Sequence, residues 1–365
     1  MIRMIIKKIY LILVTMMQCL CSRQRVQENH VVVMMTFKED LLPIIEKLSA
    51  KGYQVTVFTK VSHFEALKHL QNIHIVSMNR RNLYQQIREL RSAKVIFIDT
   101  YYHLFGAFKK QSKQTVIQTW HAAGALKQFG LEDHAVNRDN KREVAQHQAV
   151  YDATDKYIVG CPQMARCFKQ SFGAEDHQFL NYGVPRLTGH LNVDILAEQH
   201  QLKQKMGIQG KVAVYLPTYR EEGQLNRVID QQAFNQALPD YILLSQYHPA
   251  VEAPETEQPL SLSTRELLMI ADVVITDYSS LAIEASLYGK PAIFYVYDEM
   301  AYEQIRGLNN YYYDIPKRYK VYHEVALHQR IREGNLEPLF EDWHVFNTKE
   351  NLEKLINYMD EIIFL

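Results

Sequence analysis

Short apolar runs alternate with amphipathic stretches along most of the chain. In the first half, β-branched runs predict strands and the stretches between them predict helices. The predicted strands are His30–Thr36, Val55–Thr59, Ile73–Ser77, Val95–Asp99 and Thr115–Thr119, and the predicted helices are Asp40–Ala50, Phe64–Leu70 and Leu83–Arg91. Apolar runs of this length, separated by helices, are typical of parallel strands in βαβ units.

A second series of buried strands follows, at Val212–Leu216, Tyr241–Gln246, Val273–Thr276 and Ala292–Tyr295. The pattern therefore predicts an α/β protein with two doubly wound domains that face each other across a cleft. We expect a surface segment at 1–25, domains at 26–189 and 190–346, and a packing helix within 347–365. In sheets of this kind, ligands bind beyond the carboxyl ends of the strands.

The first 25 residues carry cations on both sides of an apolar run. Arg3, Lys7 and Lys8 precede Ile9–Leu20, and Arg23 is among the residues that follow. The run is shorter than the roughly 20 residues that span a bilayer, and no Ala-x-Ala cleavage site follows it. The pattern favours a helix that lies on an anionic membrane surface. A helix packed on its own domain and a signal peptide are the alternatives.

Composition narrows the class of protein. A chain of 365 residues with a formal net charge of +0 suits two packed domains and does not favour nucleic acid as a partner. Four cysteines are too few for a disulfide framework in a chain of this length, which indicates a reducing, cytoplasmic compartment. Neither Cys-x-x-Cys nor His-Glu-x-x-His occurs, so the sequence carries neither of these zinc signatures.

The strongest motif runs from Thr276 to Tyr295 and predicts a strand, a turn, a helix and a further strand. Ser279 and Ser280 fall where the helix begins, a position at which free N–H groups and the helix dipole favour phosphate. Asp277 follows the strand, and Glu284 is placed to accept hydrogen bonds from ribose hydroxyls. Simple helix capping is the alternative, but it accounts for only one of these residues.

Other polar residues also follow predicted strands. Asp298 comes after the last strand, and Arg306 further on is able to hold a phosphate with both arms of its guanidinium, unless it makes an ordinary salt bridge. Individually weaker candidates, each of which a turn or cap would also explain, are Arg186, Pro217, Thr218, Arg220 and His248. We expect His248 to act with the catalytic residues and the others to contact the ligand.

A histidine follows the Thr115–Thr119 strand directly. His121 precedes a loop of small residues, Ala122-Ala123-Gly124-Ala125, which would let a substrate approach the backbone. Since an ordinary histidine has a pKa of about 6.5, His121 is suited to act as a general base at neutral pH. Lys127 is close enough in sequence to contact phosphates. A structural histidine is the alternative.

These motifs resemble those of the CDP-glycerol glycerophosphotransferase family of wall teichoic acid synthesis. The matching pieces are Trp120-His121, Gly-x-Pro-Arg at 183–186, Pro-Thr-Tyr-Arg at 217–220, Thr-Asp-Tyr-Ser-Ser at 276–280 and Tyr-Asp…Arg-Gly at 297–307. The resemblance covers nearly everything from about residue 30 onwards, and it is greatest to the short members that add the first glycerol phosphate. Many relatives have Gly-Thr-Pro where this chain has Ala122-Ala123-Gly124, so this loop lacks a hydroxyl.

The resemblance implies a two-domain fold of the GT-B type, with CDP-glycerol as donor and no metal or other cofactor. The implied acceptor is an undecaprenyl-diphosphate-linked N-acetylmannosaminyl–N-acetylglucosamine, which receives the glycerol phosphate on its N-acetylmannosamine while CMP leaves. The implied location is the cytoplasmic face of the cell membrane, possible partners being other teichoic acid enzymes. Alternatives are a sugar-nucleotide glycosyltransferase or epimerase, a glycerol- or ribitol-phosphate polymerase of the same family, and a catalytically silent partner protein.

Overall fold

The computed structural model describes residues 2–191, 193–218, 220, 228–247 and 261–364. Its first sheet has seven parallel strands in the order β3-β2-β1-β4-β5-β6-β7. The strands are β1 (Gln27–Met35), β2 (Gln54–Thr59), β3 (Ile73–Ser77), β4 (Ala93–Ile98), β5 (Thr115–Gln118), β6 (Lys156–Ile158) and β7 (Phe179–Leu180). The five strands predicted in this half are confirmed to within a few residues, whereas β6 and β7 were not predicted.

Helices cover both faces of this sheet, which explains why its strands are almost continuously apolar. Every residue of β4 is buried, as are the last six residues of β1. The helices are α1 (Ile2–Leu20), α2 (Lys38–Ala50), α3 (Leu83–Ser92), α4 (Lys141–Tyr151) and α5 (Pro162–Phe172). The helix predicted at Phe64–Leu70 is wrong. That segment forms irregular turns, because Leu67 is its one buried residue and a short helix needs tertiary packing to be stable.

The second sheet has five parallel strands in the order β12-β11-β10-β8-β9. They are β8 (Lys211–Tyr215), β9 (Tyr241–Ser245), β10 (Val273–Thr276), β11 (Ala292–Tyr295) and β12 (Lys320–Val321). The helices in this half are α6 (Ile195–Lys205), α7 (Gln231–Ala237), α8 (Thr264–Ile270), α9 (Leu281–Leu287), α10 (Glu299–Arg306), α11 (Asn310–Tyr313) and α12 (Glu324–Glu333). All four predicted strands are confirmed here.

The last helix, α13 (Asn351–Phe364), returns to the first sheet. The predicted face of Leu352, Leu355, Ile356 and Met359 is buried there, in one cluster with side chains of β1, β2 and α2. The chain thus crosses between the halves twice, before α6 and again before α13. The boundaries placed at 189/190 and 346/347 stay predictions.

The N-terminal helix α1 has two apolar faces. On one, Val14 is fully buried and packs with Tyr10 and Met17 against the core beneath the first sheet. The other, which we call the α1 ridge, is 42–76% exposed along Ile6, Ile9, Ile12, Leu13, Met16 and Leu20. None of the described helices is both long and apolar enough to cross a membrane.

In both sheets, the order of the strands reverses at a position that favours ligand binding. The strand order reverses between β1 and β4 in the first sheet and between β8 and β10 in the second. Crevices form outside the carboxyl ends of strands at such points. Thr36 and Asp99 follow the strands at the first point, and Leu216 and Asp277 follow those at the second.

Candidate active site between the two sheets

His121 lies just beyond β5, beside the first of these points. Its Nδ1 is 2.8 Å from the carbonyl oxygen of Asp99. Its ring stacks on Phe37 with the ring centroids 4.5 Å apart. Since a carbonyl only accepts hydrogen bonds, Nδ1 carries the proton and Nε2 is left as the basic nitrogen. The preceding Trp120 has a φ of 62°, a left-handed conformation that is uncommon for a bulky residue.

The Asp99 carboxylate fixes the surroundings of this histidine, although the motifs did not single it out as a site residue. It accepts hydrogen bonds from the backbone N–H groups of Thr36 and Phe37, each at 2.7 Å, and from the Tyr102 hydroxyl at 2.7 Å. Asp99 thereby holds the turn that carries Phe37, while its own carbonyl orients His121. Its position at the end of a predicted strand was the signal that sequence reasoning could have used.

His121 is neutral at physiological pH. Burial lowers its pKa from 6.5 to about 4, and the charges of Arg186 and Lys127 act in the same direction, against the hydrogen bond to Asp99. Burial also raises the pKa of Asp99 to about 6, against the hydrogen bonds that the carboxylate accepts. A neutral imidazole with a free Nε2 is the form that can take a proton from a hydroxyl group.

The small-residue loop after His121 packs on the second sheet's half instead of lying open. A Cβ built on Gly124 would lie 2.5 Å from Ile283 Cδ1 and 2.5 Å from the Trp343 ring, so only glycine fits. Asn309 Nδ2 donates to the carbonyl of Ala125 at 2.7 Å, and Ala123 is buried while Ala122 is partly exposed. We expected this loop to admit a substrate, but the structure uses its small residues for contact between the two halves.

A cavity of about 580 Å³ lies between the two halves, at the second reversal point. Five of the predicted ligand-contacting residues line it, namely Lys127, Pro217, Thr218, Ser279 and Arg306. The motifs did not single out its other lining residues, Gln128, Phe129, Asp133, Leu216, Gln246, Tyr247, Thr264, Leu281 and Tyr302. His121 is outside this lining, but the loop that begins with it leads directly to Lys127.

Lys127 and Arg306 make one wall of the cavity cationic. Burial lowers the pKa of Lys127, while the charge of Asp277 opposes this and that of Arg306 reinforces it. Arg306 Nη1 lies 3.0 Å from Asp133 Oδ2, so it makes a salt bridge and also borders the cavity. The backbones of Lys127 and Leu308 form a β-bridge that brings the two cations together.

Arg220, Asp277 and Asp298 pair with one another at the strand ends of the second sheet. Arg220 Nη2 lies 3.1 Å from Asp277 Oδ2 and 3.0 Å from Asp298 Oδ2. The Asp277 carboxylate also accepts a hydrogen bond from the backbone N–H of Thr218 at 2.9 Å, and the guanidinium lies 4.2 Å from the centre of the Tyr302 ring. These residues form one network of ion pairs and hydrogen bonds beside the cavity, instead of presenting separate groups to a ligand.

Arg186 and Glu284, both predicted to face a ligand, instead meet in a buried ion cluster. Arg186 Nη1 lies 2.8 Å from Glu284 Oε1, and Arg186 Nε lies 3.0 Å from Asp40 Oδ1. Asp40 is fully buried at the start of α2, and its burial raises its pKa, while Arg186 opposes that rise. The cluster ties α2 of the first half to α9 of the second.

The two serines differ in what they do. Ser279 Oγ accepts from the backbone N–H of Leu281 at 3.2 Å, a capping contact, and also borders the cavity. Ser280 precedes α9 without a side-chain capping bond, and Thr276 is buried with its hydroxyl donating to the carbonyl of Leu216 at 2.7 Å. His248 lies outside the described residues. In the described part of the chain, no three His, Cys, Asp or Glu side chains are grouped to hold a metal ion.

Comparison with known proteins adds to this geometry. Residues 16–335 match the model of the family described as CDP-glycerol:poly(glycerophosphate) glycerophosphotransferase. The chain is 45% identical to a teichoic acid glycerol-phosphate primase of Staphylococcus aureus, over 98% of this chain and 99% of that one. It is 28% identical to the Bacillus subtilis protein of the same description, over 92% and 93% of the two chains.

Solved structures share the fold. A variant of the wall teichoic acid polymerase TagF superposes with a TM-score of 0.73 at 18% identity, over 98% of this chain and 96% of that one. The UDP complex of S. aureus MnaA superposes with a TM-score of 0.55 at 11% identity, over 92% and 97% of the chains. The predicted two-domain α/β fold is confirmed. Because the family model matches residues 16–335, the chain belongs to the CDP-glycerol:poly(glycerophosphate) glycerophosphotransferase family.

Proposed function

We propose that this protein transfers glycerol 3-phosphate from CDP-glycerol to the N-acetylmannosamine of an undecaprenyl-diphosphate-linked N-acetylmannosaminyl–N-acetylglucosamine. This is the priming step of wall teichoic acid synthesis. The observation that carries the proposal is the near full-length 45% identity to a glycerol-phosphate primase, together with a neutral His121 beside a cationic cavity.

The cavity suits a nucleotide diphosphate such as the CDP part of the donor. Its volume of about 580 Å³ is within the range of small-molecule sites. Lys127 and Arg306 supply positive charge for two phosphates, and Ser279 supplies a hydroxyl group. Tyr247 and Tyr302 offer aromatic surface for the cytosine ring.

In the proposed reaction, the acceptor hydroxyl attacks the phosphorus that bears glycerol, and the bond from that phosphorus to the CMP oxygen breaks. His121 Nε2 takes the hydroxyl proton, and CMP leaves with the bonding electron pair. Because the transition state spreads negative charge over phosphoryl oxygens, Lys127 and Arg306 stabilise it. We expect His121→Gln to lower kcat by about 10²- to 10⁴-fold while CDP-glycerol still binds, and wild-type turnover would refute the assignment.

The reaction is proposed to run without a metal ion. Side-chain cations at the cavity wall supply the positive charge that Mg²⁺ supplies in many phosphoryl transfers. We therefore expect full activity of the purified protein in excess chelator. Loss of activity that added Mg²⁺ restores would contradict this part of the proposal.

Release of CMP tests the proposed function. The purified protein is mixed with a synthetic lipid-diphosphate disaccharide and with CDP-glycerol, CDP-ribitol or a UDP-sugar in turn. We expect CMP only with CDP-glycerol and only when the acceptor is present. Turnover of a UDP-sugar would instead indicate a glycosyltransferase or epimerase, and CDP-ribitol turnover would indicate a ribitol-phosphate enzyme.

The α1 ridge is proposed to hold the protein on the cytoplasmic face of the membrane. Five of its six residues, Ile6, Ile9, Leu13, Met16 and Leu20, are three or four positions apart and so form one stripe of the helix. Lys7 and Lys8 flank it, and such cations are attracted to anionic lipids. The opposite face packs on the domain, so insertion of the ridge need not unfold α1.

A change of the ridge tests this membrane contact. We expect the pair Ile9→Gln and Met16→Gln to reduce sedimentation with phosphatidylglycerol vesicles, because it removes apolar area that would enter the bilayer. The matched control is Val325→Gln, an exposed apolar residue of α12 that is 74% accessible. Equal loss of vesicle binding in the control, or none in the ridge variant, would contradict the role of the ridge.

A further inference from the structure

Four aromatic or imidazole side chains gather between α1, α4 and the loop after β4. The Tyr101 ring lies 5.4 Å from that of His147, and the Tyr10 ring stacks on His103 at 5.9 Å. The Tyr101 hydroxyl is 3.4 Å from His103 Nδ1. We call Lys7, Tyr10, Tyr101, His103 and His147 the α1–histidine cluster. Neither the catalytic step nor the donor cavity uses any of them.

The cluster is held in place by close packing of α1 on the protein. A Cβ built on Gly106 would lie 3.3 Å from Val150 Cγ2 of α4 and 3.8 Å from Leu11 Cδ2 of α1. Gln18 accepts a hydrogen bond from the backbone N–H of Lys109 at 2.8 Å. The buried face of α1 therefore fixes the cluster beside the exposed α1 ridge.

The cluster has donor groups without a protein partner. Lys7 is exposed, and no carboxylate forms an ion pair with it in the described part of the chain. It lies near enough for its charge to lower the pKa values of both histidines, after burial, which is the larger cause. His147 Nδ1 is buried, and it has no hydrogen-bond partner among the described residues. Arg80, also exposed, adds a second positive charge beside Tyr10.

Two carboxylates also act on His147, but both are engaged elsewhere. Glu143 accepts a hydrogen bond from Asn140 at 3.3 Å, and Asp133 pairs with Arg306 at 3.0 Å. Lys7 and Arg80 are the exposed cations at the cluster, and Glu143 adds one negative charge that acts on His147. Ammonium, guanidinium and imidazole N–H groups together are the donors that phosphate esters bind.

Through Tyr101, the cluster borders a small cavity that Trp120, the residue before His121, also lines. This cavity has a volume of about 90 Å³, and the Trp120 ring lies 4.3 Å from that of His121. The order along the protein is thus the α1 ridge, the cluster, the aromatic cavity and His121. A lipid-linked acceptor has the same order of parts: lipid, diphosphate, sugars and the reacting hydroxyl.

We propose that the α1–histidine cluster binds the diphosphate of the acceptor, with Lys7 and His147 as its principal donors. This inference rests on the proposed function, because it takes the acceptor to be a lipid diphosphate. The site shares no residue with the lining of the donor cavity. Binding there sets which sugar hydroxyl reaches His121 and keeps the lipid at the ridge.

Two acceptors that differ only in the diphosphate test the proposal. One is the disaccharide on an octyl diphosphate, and the other is the same disaccharide on an octyl group. We expect Lys7→Gln and His147→Gln each to raise KM for the diphosphate acceptor about tenfold, as expected for one lost charged or strong hydrogen bond. KM for the octyl acceptor and for CDP-glycerol should stay unchanged.

Lys317→Gln is the control, since it removes the same charge from an exposed position outside α1 and outside the cluster. It should leave KM for both acceptors unchanged. An equal rise in KM for Lys317→Gln would overturn the site in favour of general attraction to anions. A Lys7→Gln effect on vesicle binding without any effect on KM would assign the cluster to lipid headgroups and also overturn it.

The outcomes separate this inference from the proposed function. If the wild-type protein releases CMP with both acceptors, and the two cluster variants do so with unchanged KM, only the diphosphate site is refuted. If the wild-type protein releases CMP with neither acceptor, the proposed function is refuted. Thermal melting of each variant checks that it is folded.

Discussion

At the scale of single residues, the central feature is a histidine kept neutral by its surroundings. Burial and nearby cations hold the pKa of His121 at about 4, below its ordinary value of 6.5. A base with a lowered pKa stays unprotonated, and therefore competent, as the pH falls through 6.5. We therefore expect kcat/KM to keep its plateau through pH 6 and to fall only towards pH 4.

A pH profile of kcat/KM at fixed ionic strength measures this directly. Protein stability must be followed in parallel. The unfolded chain binds a proton at His121 below pH 6.5 and the folded chain does not, so stability declines between 6.5 and about 4. A loss of kcat/KM centred near 6.5 in a protein that is still folded would contradict the neutral, buried base.

A substitution of Asp99 tests whether this residue positions His121. In Asp99→Asn, the amide oxygen still accepts from the N–H groups of Thr36 and Phe37, which both contact Oδ2, but an NH₂ replaces the Oδ1 that accepts from the Tyr102 hydroxyl. We expect a fall in kcat with little change in KM for CDP-glycerol, and a loss of stability of about 1–3 kcal/mol. The NMR signals of His121 should show loss of the single Nδ1–H tautomer.

Asp139→Asn, which changes an exposed carboxylate in a loop, is the control for Asp99→Asn. It should leave kcat, stability and the His121 signals as they are in the wild type. If Asp99→Asn lowers stability but keeps kcat and the tautomer, Asp99 is merely structural and its positioning role is refuted.

At the scale of elements, the loop between His121 and Lys127 joins the two halves. Gly124→Ala would place a methyl group 2.5 Å from Ile283 and Trp343, so we expect a loss of about 1–3 kcal/mol from overpacking, seen as a lower Tm. Gly189→Ala is the matched control because nothing lies within 4 Å of the added Cβ. Equal Tm values for the two variants would refute the close contact.

The elements also show how far the sequence was informative. Long buried strands such as β1 and β4 were predictable, because burial on both faces requires continuous apolar runs. Strands of two or three residues, β6, β7 and β12, leave too short a pattern to recognise. The sequence predicts that the site residues lie at strand ends, but it does not predict which side chains pair with each other. The pairing of Arg186 with Asp40, for example, depends on how the two halves meet.

At the scale of the whole molecule, the ion pairs of Arg186 with Asp40 and Glu284 hold the two halves together. We expect Arg186→Met to lower the free energy of unfolding by about 3–5 kcal/mol, because it leaves Asp40 and Glu284 buried without their cation. Urea unfolding without substrate measures this. Unchanged stability combined with weaker CDP-glycerol binding would show instead that Arg186 binds the donor, as its motif first indicated.

The central claim is that this molecule adds glycerol phosphate from CDP-glycerol to a lipid-diphosphate disaccharide. Mass spectrometry of a synthetic acceptor after incubation tests it most directly, since it reports donor, acceptor and number of additions together. We predict a product heavier than the acceptor by a single glycerol phosphate, formed with one CMP per transfer. An unmodified acceptor, a product carrying a sugar or ribitol phosphate, or a ladder of repeated additions would contradict the account.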